Sequence, residues 1–175
     1  MSHIEKIAGE LRALMAGVER ARGLAAAVDR QAQEVTLRAA GAGFAAVAAG
    51  MVRVRSAITG IQGGLGSLAG SIGEAAKATG AVPREATPQE TIAGLAPVLS
   101  AADSARDAAA GAIAQVGEAQ QFVAMVLQGG QPGPLLQALE SVKQVLVLVV
   151  QRTGAARQFV EAAIAEARQL GASGN

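Results

Sequence analysis

Cysteine, tryptophan and tyrosine do not occur in this 175-residue chain, and aromatic residues make up only 2% of it. Without cysteine there can be no disulfide, no thiolate metal site and no cysteine nucleophile. Bulky aromatic side chains cannot fill a core either. Since 51% of the residues are nonetheless hydrophobic, the chain can bury a core, but it must build that core mainly from alanine, valine, leucine and isoleucine.

Excess charge of one sign is also lacking. Fifteen basic side chains face fourteen acidic ones, which gives a net charge of +1, and the charges are dispersed along the chain. A basic stripe that could follow a phosphate backbone is therefore not present, and nucleic acid is not an expected partner. The N-terminal residues show no basic segment followed by an apolar one, so we expect a cytoplasmic protein or one exported without a cleavable signal peptide.

Two segments 85 residues apart carry the signature of a helix start. Ser2 with Glu5, and Thr87 with Glu90, have the spacing of a capping box, and Pro88 occupies the first helical position. Several residues after each cap also recur at this interval, which suggests a duplicated helical unit. We predict a first unit over residues 1–80, a proline-containing linker over 81–87, and a second helical hairpin over 88–175.

Glycine-rich segments predict where the helices break. Glycines are dense at residues 60–73, and each is about 0.8 to 1 kcal/mol less favourable than alanine inside a helix. We therefore expect a long first helix, a bend near residues 60–66, and a short helix after it. Residues 129–134, Gly-Gly-Gln-Pro-Gly-Pro, predict the turn of the second hairpin.

Apolar residues alternate three and four apart along most of the chain, which is typical of long helices that pack side by side. The pattern is unbroken over the last arm and over the first arm, whereas Arg106 and Gln120 fall on it in the arm between. We predict that the strongest positions form a seam that pairs with other helices, in this chain or in a partner: Leu135, Leu139, Val142, Leu146, Val149, Val160, Ile4, Ile7, Leu11, Leu14 and Val18.

The residue types that carry catalysis are almost lacking. His3 is the single histidine, no Glu-x-x-His pair exists for a di-metal site, and the carboxylates are spread along helix surfaces. Residues 64–69 fit a loose dinucleotide pattern but do not follow a predicted strand. We therefore predict no catalytic residues, no cofactor, no metal ion and no enzymatic activity.

Residues 144–151, Gln-Val-Leu-Val-Leu-Val-Val-Gln, are apolar around the whole helix for two turns. That is wider than one seam requires. Either this helix is buried on several sides, or it keeps an apolar strip for a partner or a lipid surface.

In its organisation the chain resembles the helical-hairpin proteins of actinobacterial type VII (ESX) secretion and the helical leader domains of polymorphic toxins. The similarity lies in a serine-capped first helix, an alanine-rich and glutamine-rich hairpin with a glycine-rich turn at residues 129–134, and 12 arginines against 3 lysines. A Trp-x-Gly turn and a tyrosine-based export motif are not present, because the chain has neither tryptophan nor tyrosine. The resemblance implies a small helical protein that pairs with a second helical protein.

These observations predict an all-α protein of long antiparallel, coiled-coil-like hairpins. The predicted function is non-enzymatic: assembly through heptad seams as a homo-oligomer or with a helical partner, in association with type VII secretion or a toxin system. One alternative is an amphipathic helical protein that acts on a lipid surface or forms a pore. A further alternative is a cytoplasmic coiled-coil scaffold.

Overall fold

Four long helices account for nearly all of the fold. The computed structural model describes residues 1–174, and its helices are α1 (His3–Gly41), α2 (Ala45–Gly80), α3 (Pro88–Val126) and α4 (Gly133–Ser173). No strand occurs among these residues, so the predicted all-α class is confirmed. At 1.5 Å per residue, each of these four helices is about 55 to 60 Å long.

The helices begin where the capping signals place them. Ser2 Oγ accepts a hydrogen bond from the Glu5 N–H at 3.2 Å, and the Ser2 N–H donates to Glu5 Oε2 at 2.8 Å. Thr87 and Glu90 repeat both bonds at the start of α3. The linker predicted at residues 81–87 separates α2 from α3 with the same bounds.

The prediction of a bend near residues 60–66 was wrong, because α2 runs through the glycine-rich segment without a break. The first hairpin turns at residues 42–44 instead, where Gly43 adopts a φ of +83° that a side chain would disfavour. Ile58, Ile61 and Leu65 are fully buried between the glycines. Their burial against other helices outweighs the low helix propensity of glycine, since long helices in proteins are stabilised mainly by packing.

The helices form one bundle in which each contacts two neighbours. Helix α1 packs against α2 and α4, and α3 packs against α2 and α4, whereas in the described residues no Cα atom of one helix lies within 8 Å of a Cα atom of the diagonally opposite helix. The two hairpin turns meet at one end of the bundle, where a cleft is lined by Ala42, Phe44 and Leu127. The linker and both ends of the chain lie at the other end, where His3, Pro88 and Leu170 share a second cleft.

Helix α3 faces the core with only part of the heptad pattern that the sequence predicts: every second position of the pattern is buried, and the positions between them are shifted by one residue. Its inward positions include Val98, Ala105 and Ala119, which are buried. Arg106 is exposed and Gln120 lies on the flank, where its Nε2 donates to Glu140 Oε2 of α4 at 3.0 Å. The prediction that these two polar residues lie on the packing seam was therefore wrong, because the neighbouring alanines, Ala105 and Ala119, occupy the inward positions.

The two hairpins are structural repeats of each other. Eight of the nine buried positions of α1 fall on buried positions of α3 when 84 is added, as for Leu11 and Leu95. All nine buried positions of α2 fall on buried positions of α4 when 88 is added, as for Ile58 and Leu146. The interval increases from 84 to 88 because the turn between α3 and α4 is longer than the turn between α1 and α2. The interval of 85 between the capping boxes is therefore one residue out of register with the core.

Candidate interaction surface

The predicted pairing seam lies inside the bundle. Of its eleven residues, ten are buried with no more than 3% of their surface exposed, and Ile4 is half-buried at the bundle end. They pack in one continuous core with residues of the chain's own four helices. The seam thus serves the intramolecular bundle, and a surface for a partner has to be sought elsewhere.

The apolar run at residues 144–151 points in two directions. Val145, Leu146 and Val149 are buried in the core, whereas Val147 is 40% exposed and Leu148 is 57% exposed. The helix is therefore buried on its inner and lateral faces, and its outer face keeps two large apolar side chains in water. Burial on several sides, the first alternative drawn from the sequence, therefore applies to this segment, and two of its apolar side chains are exposed as well.

Chemistry-bearing side chains do not converge in the described part of the chain. His3 Nε2 contacts a Glu166 carboxylate oxygen across α1 and α4, and both side chains are partly exposed. Among residues 1–174 no group of three or more histidine, cysteine, aspartate or glutamate side chains could hold a metal ion. The cleft at the turn end, of about 460 Å³, has a lining without serine, histidine or lysine.

Polar contacts connect the two flanks of α4 to the neighbouring helices. Towards α3, Arg157 donates to Asp103 at 2.8 Å and to Glu161 on its own helix at 2.9 Å. The hydrogen bond to Glu161, together with the negative charge of Asp103, raises the pKa of Arg157. Towards α1, Arg152 lies 3.7 Å from Glu10. These contacts lie on the two flanks of α4, so the residues between them, on the side away from the core, face outwards.

An uncharged row of side chains follows the outward face of α4 over most of its length. Its members are spaced alternately four and three residues apart, and all are exposed except Ala155, which is half-buried. We call this set the outer row: Gln137, Ser141, Gln144, Leu148, Gln151, Ala155, Gln158, Ala162, Ala165 and Gln169. It contains no charged residue, and it extends about 48 Å along the helix.

The other three helices carry charges at the equivalent outward positions. Helix α1 has Lys6, Arg20 and Glu34 there, and α3 has Asp107 and Glu118, as counted from their buried heptads. Helix α2 has Arg53, Glu74 and Lys77 at these positions, and the outward positions between Arg53 and Glu74 hold only serine and glycine. The positions furthest from the core are normally the most solvated and charged in a bundle. The outer row of α4 departs from that rule along its whole length.

This row was missed in the sequence analysis, although its signal is present there. Glutamines recur every seven residues at positions 137, 144, 151 and 158. The repeat is hidden because the larger apolar residues of the core heptads lie between the glutamines. Only the orientation of α4 in the bundle shows that the glutamines form a separate face.

Helix α4 is also the one helix in the described part of the chain that is long and apolar enough to cross a membrane by length and composition. The 18-residue window that meets this test has a mean hydropathy of 1.4, and 33% of it is buried. A core helix of a bundle can meet the same test. The finding agrees with the low charge of the outer row.

Comparison with known proteins gives one match. Neither the curated proteins nor the solved structures include a protein that matches this chain. Residues 86–172, just under half of the chain, match a family described as a family of unknown function, DUF6244. The matched segment begins one residue before the Thr87 cap and ends within α4, so it corresponds to the second hairpin. Over that hairpin, the chain is similar to a family whose function is not described.

Proposed function

We propose that this protein is a non-enzymatic helical interaction protein that docks a partner helix on the outer row of α4. The observation that carries the proposal is the uncharged heptad row on a face that faces solvent. The predicted core seam cannot serve this purpose while the bundle is closed, because its residues are buried against each other. The proposal therefore keeps the function predicted from the sequence and moves its site outwards.

The spacing of the outer row suits a helix better than any other partner. A row that alternates four and three residues apart stays in line with a second helix that winds gently around the first. Glutamine side chains can donate and accept hydrogen bonds across such a contact without the desolvation cost of a charge. Leu148, with Val147 beside it, provides an apolar contact near the middle of the row.

The proposal can be tested by photocross-linking in the organism that makes the protein. A photoreactive amino acid is placed at Gln144 or at Gln158 in the outer row, and at Ala27 on the exposed face of α1 as the matched control. We expect protein adducts from both α4 positions and none from Ala27. Adducts that form equally from all three positions, or from none, would contradict the proposal.

Association with type VII secretion or a toxin system stays a prediction from the resemblance of the hairpins. The corresponding measurement is fractionation of the tagged protein, produced in an actinobacterial host, into medium, membrane and cytosol. Recovery in the medium that is lost when the secretion system is deleted would support export. Retention in the cytosol would favour the scaffold alternative.

A second candidate function, action on a lipid surface, is favoured by the apolar composition of α4. Among the large apolar side chains of α4, Val147, Leu148 and Leu170 are exposed, whereas others, such as Leu139 and Leu146, are buried in the core. Insertion would therefore require the bundle to open. Co-sedimentation with liposomes of neutral and anionic lipids tests this alternative, and no binding to either kind would rule it out.

A further inference from the structure

We infer that the helix docked on the outer row is α4 of a second copy of this chain, in antiparallel orientation about a two-fold axis near Thr153. This inference rests on the function proposed above and specifies its partner. Three independent properties of α4 support it: the order of large and small side chains, the position of two exposed charges without an ion pair, and the space at the centre of the helix.

The order of side chains in the outer row is self-complementary. Helix α4 extends from Gly133 to Ser173, so its midpoint is residue 153, and an antiparallel copy with full overlap pairs positions whose numbers add up to 306. Gln144 then faces Ala162 of the second copy, and Gln151 faces its Ala155. Leu148 faces Gln158 of the second copy and covers its methylene groups. A large side chain meets a small or apolar one in these three central layers, as close packing requires, and in the two outer layers Ser141 faces Ala165 and Gln137 faces Gln169.

Charged residues beside the row support the same alignment. Glu140 and Arg168 are exposed and lie on the same side of the row, near opposite ends of α4. In the antiparallel alignment, Glu140 of each copy flanks Arg168 of the other, which gives two ion pairs related by the two-fold axis. Within residues 1–174, Arg168 has no ion pair of its own, and Glu140 accepts a hydrogen bond only from Gln120. Both groups are available to a second copy.

The centre of α4 allows a close approach. Gly154 lies next to the midpoint, and a Cβ atom added there would meet nothing within 4 Å. Ala155 beside it adds only a methyl group. The centre of the contact therefore has room for the Gln151 side chain of the second copy, which faces Ala155 there. A contact about 48 Å long and 10 Å wide covers roughly 1,000 Å² over both copies, which is the size of a weak, reversible interface and more than most crystal-packing contacts bury.

The test is the molar mass of the purified full-length chain in solution, measured by sedimentation equilibrium over a range of concentrations. We expect a dimer of twice 17.4 kDa. Leu148→Glu should give a monomer, because it places two carboxylates at the contact. Leu37→Glu is the matched control, because Leu37 is similarly exposed on α1. Circular dichroism verifies that both variants stay helical. A wild-type chain that is monomeric at every concentration would overturn the inference.

Charge exchange tests the alignment itself. Glu140→Arg or Arg168→Glu alone should weaken the dimer about tenfold or more, since each replaces two attractive contacts by two repulsive ones. The double variant should regain the wild-type dissociation constant, because it restores both pairs with the charges reversed. A double variant no tighter than the single ones would refute the antiparallel register.

The cross-linking experiment separates failure of this inference from failure of the proposed function. An adduct at Gln144 with the mass of two identical chains supports self-pairing. An adduct with a different protein, together with a monomeric purified chain, would overturn self-pairing and leave the proposed function standing. No adduct of either kind would overturn both.

Discussion

Two leucines that lie two residues apart in α4 should differ sharply in their contribution to stability. Leu146 has 0% of its surface exposed, and Leu148 has 57% exposed. The first packs in the centre of the bundle and the second lies in the outer row. Substituting each by alanine removes the same atoms from the same helix, so helix propensity and composition are matched between the two variants.

The magnitude follows from what surrounds each side chain. Alanine at position 146 removes the three carbons beyond Cβ, which corresponds to about 2.4 kcal/mol of transfer free energy. A cavity term is added because the surrounding core is rich in alanine and has few long side chains that could move into the space. We expect a total loss of about 3 to 4 kcal/mol in the free energy of unfolding. At position 148 the expected change in the monomer is within about 0.5 kcal/mol.

Urea unfolding followed by circular dichroism at 222 nm measures both values. It should be performed at a protein concentration where each chain is monomeric, so that dimer dissociation does not contribute. Leu146→Ala should lower the midpoint with little change in the slope, and its thermal midpoint should fall by about 6 to 16 °C. Equal losses in the two variants would refute the assigned rotation of α4, because both side chains would then have to be in similar surroundings.

Three further predictions concern glycines and the first helix. Gly66→Ala should stabilise the protein by up to about 1 kcal/mol, because an added Cβ meets nothing within 4 Å and glycine is a poor helix former. Gly50→Ala should not stabilise it, because the added Cβ would lie 2.8 Å from the Val126 side chain. The urea midpoints of the two variants test this difference. Ser2→Ala should cost about 1 kcal/mol and increase hydrogen exchange at the first amides of α1; unchanged exchange there would argue against the cap. The hydrogen bond from the Ser2 backbone N–H lowers the pKa of Glu5. The contribution of ionised Glu5 to the stability of the fold is therefore complete above the ordinary glutamate pKa and is lost as the pH falls through the lowered value. The difference in urea midpoint between wild type and Glu5→Gln should therefore shrink between pH 6 and pH 2, and a constant difference would contradict the assignment.

Local signals in the sequence were sufficient where one physical effect dominates. The capping boxes at Ser2 and Thr87 were predicted with their bonding partners, because a hydroxyl and a carboxylate three residues apart satisfy amides that have no other acceptor. The core face of α4 was predicted from its heptads, since the large residues from Leu135 to Val160 leave one inward face.

Other features depend on packing that no short segment reveals. The glycines at residues 60–73 predicted a bend, yet the isoleucines and leucines between them keep α2 straight by burial in the core. In α3 the heptad pattern placed Arg106 and Gln120 on the inward face, but the alanines that precede them, Ala105 and Ala119, are buried there instead. Where alanine is so frequent, side-chain size along one helix does not show which side meets its neighbours.

The candidate site was the least predictable part for a related reason. A row of glutamine, alanine and serine resembles an ordinary solvated face until the charged residues around it have been assigned to contacts with α1 and α3. Arg152 and Arg157 are examples, because both point along the sides of α4 towards acidic partners. The absence of charge from the outer row becomes visible only after that assignment.

Because the two hairpins repeat each other, the differences between α2 and α4 determine how many other copies one bundle could bind. A bundle made from two separate, identical hairpin chains would carry two identical outer rows, at the places of α2 and α4. These two helices lie at opposite corners of the bundle. If such rows paired with themselves, each bundle would bind two others, and assembly would continue into a filament. In the single chain, the counterpart row on α2 carries Arg53, Glu74 and Lys77. If α4 pairs with itself as proposed, the chain has one such face, and the assembly ends at two copies.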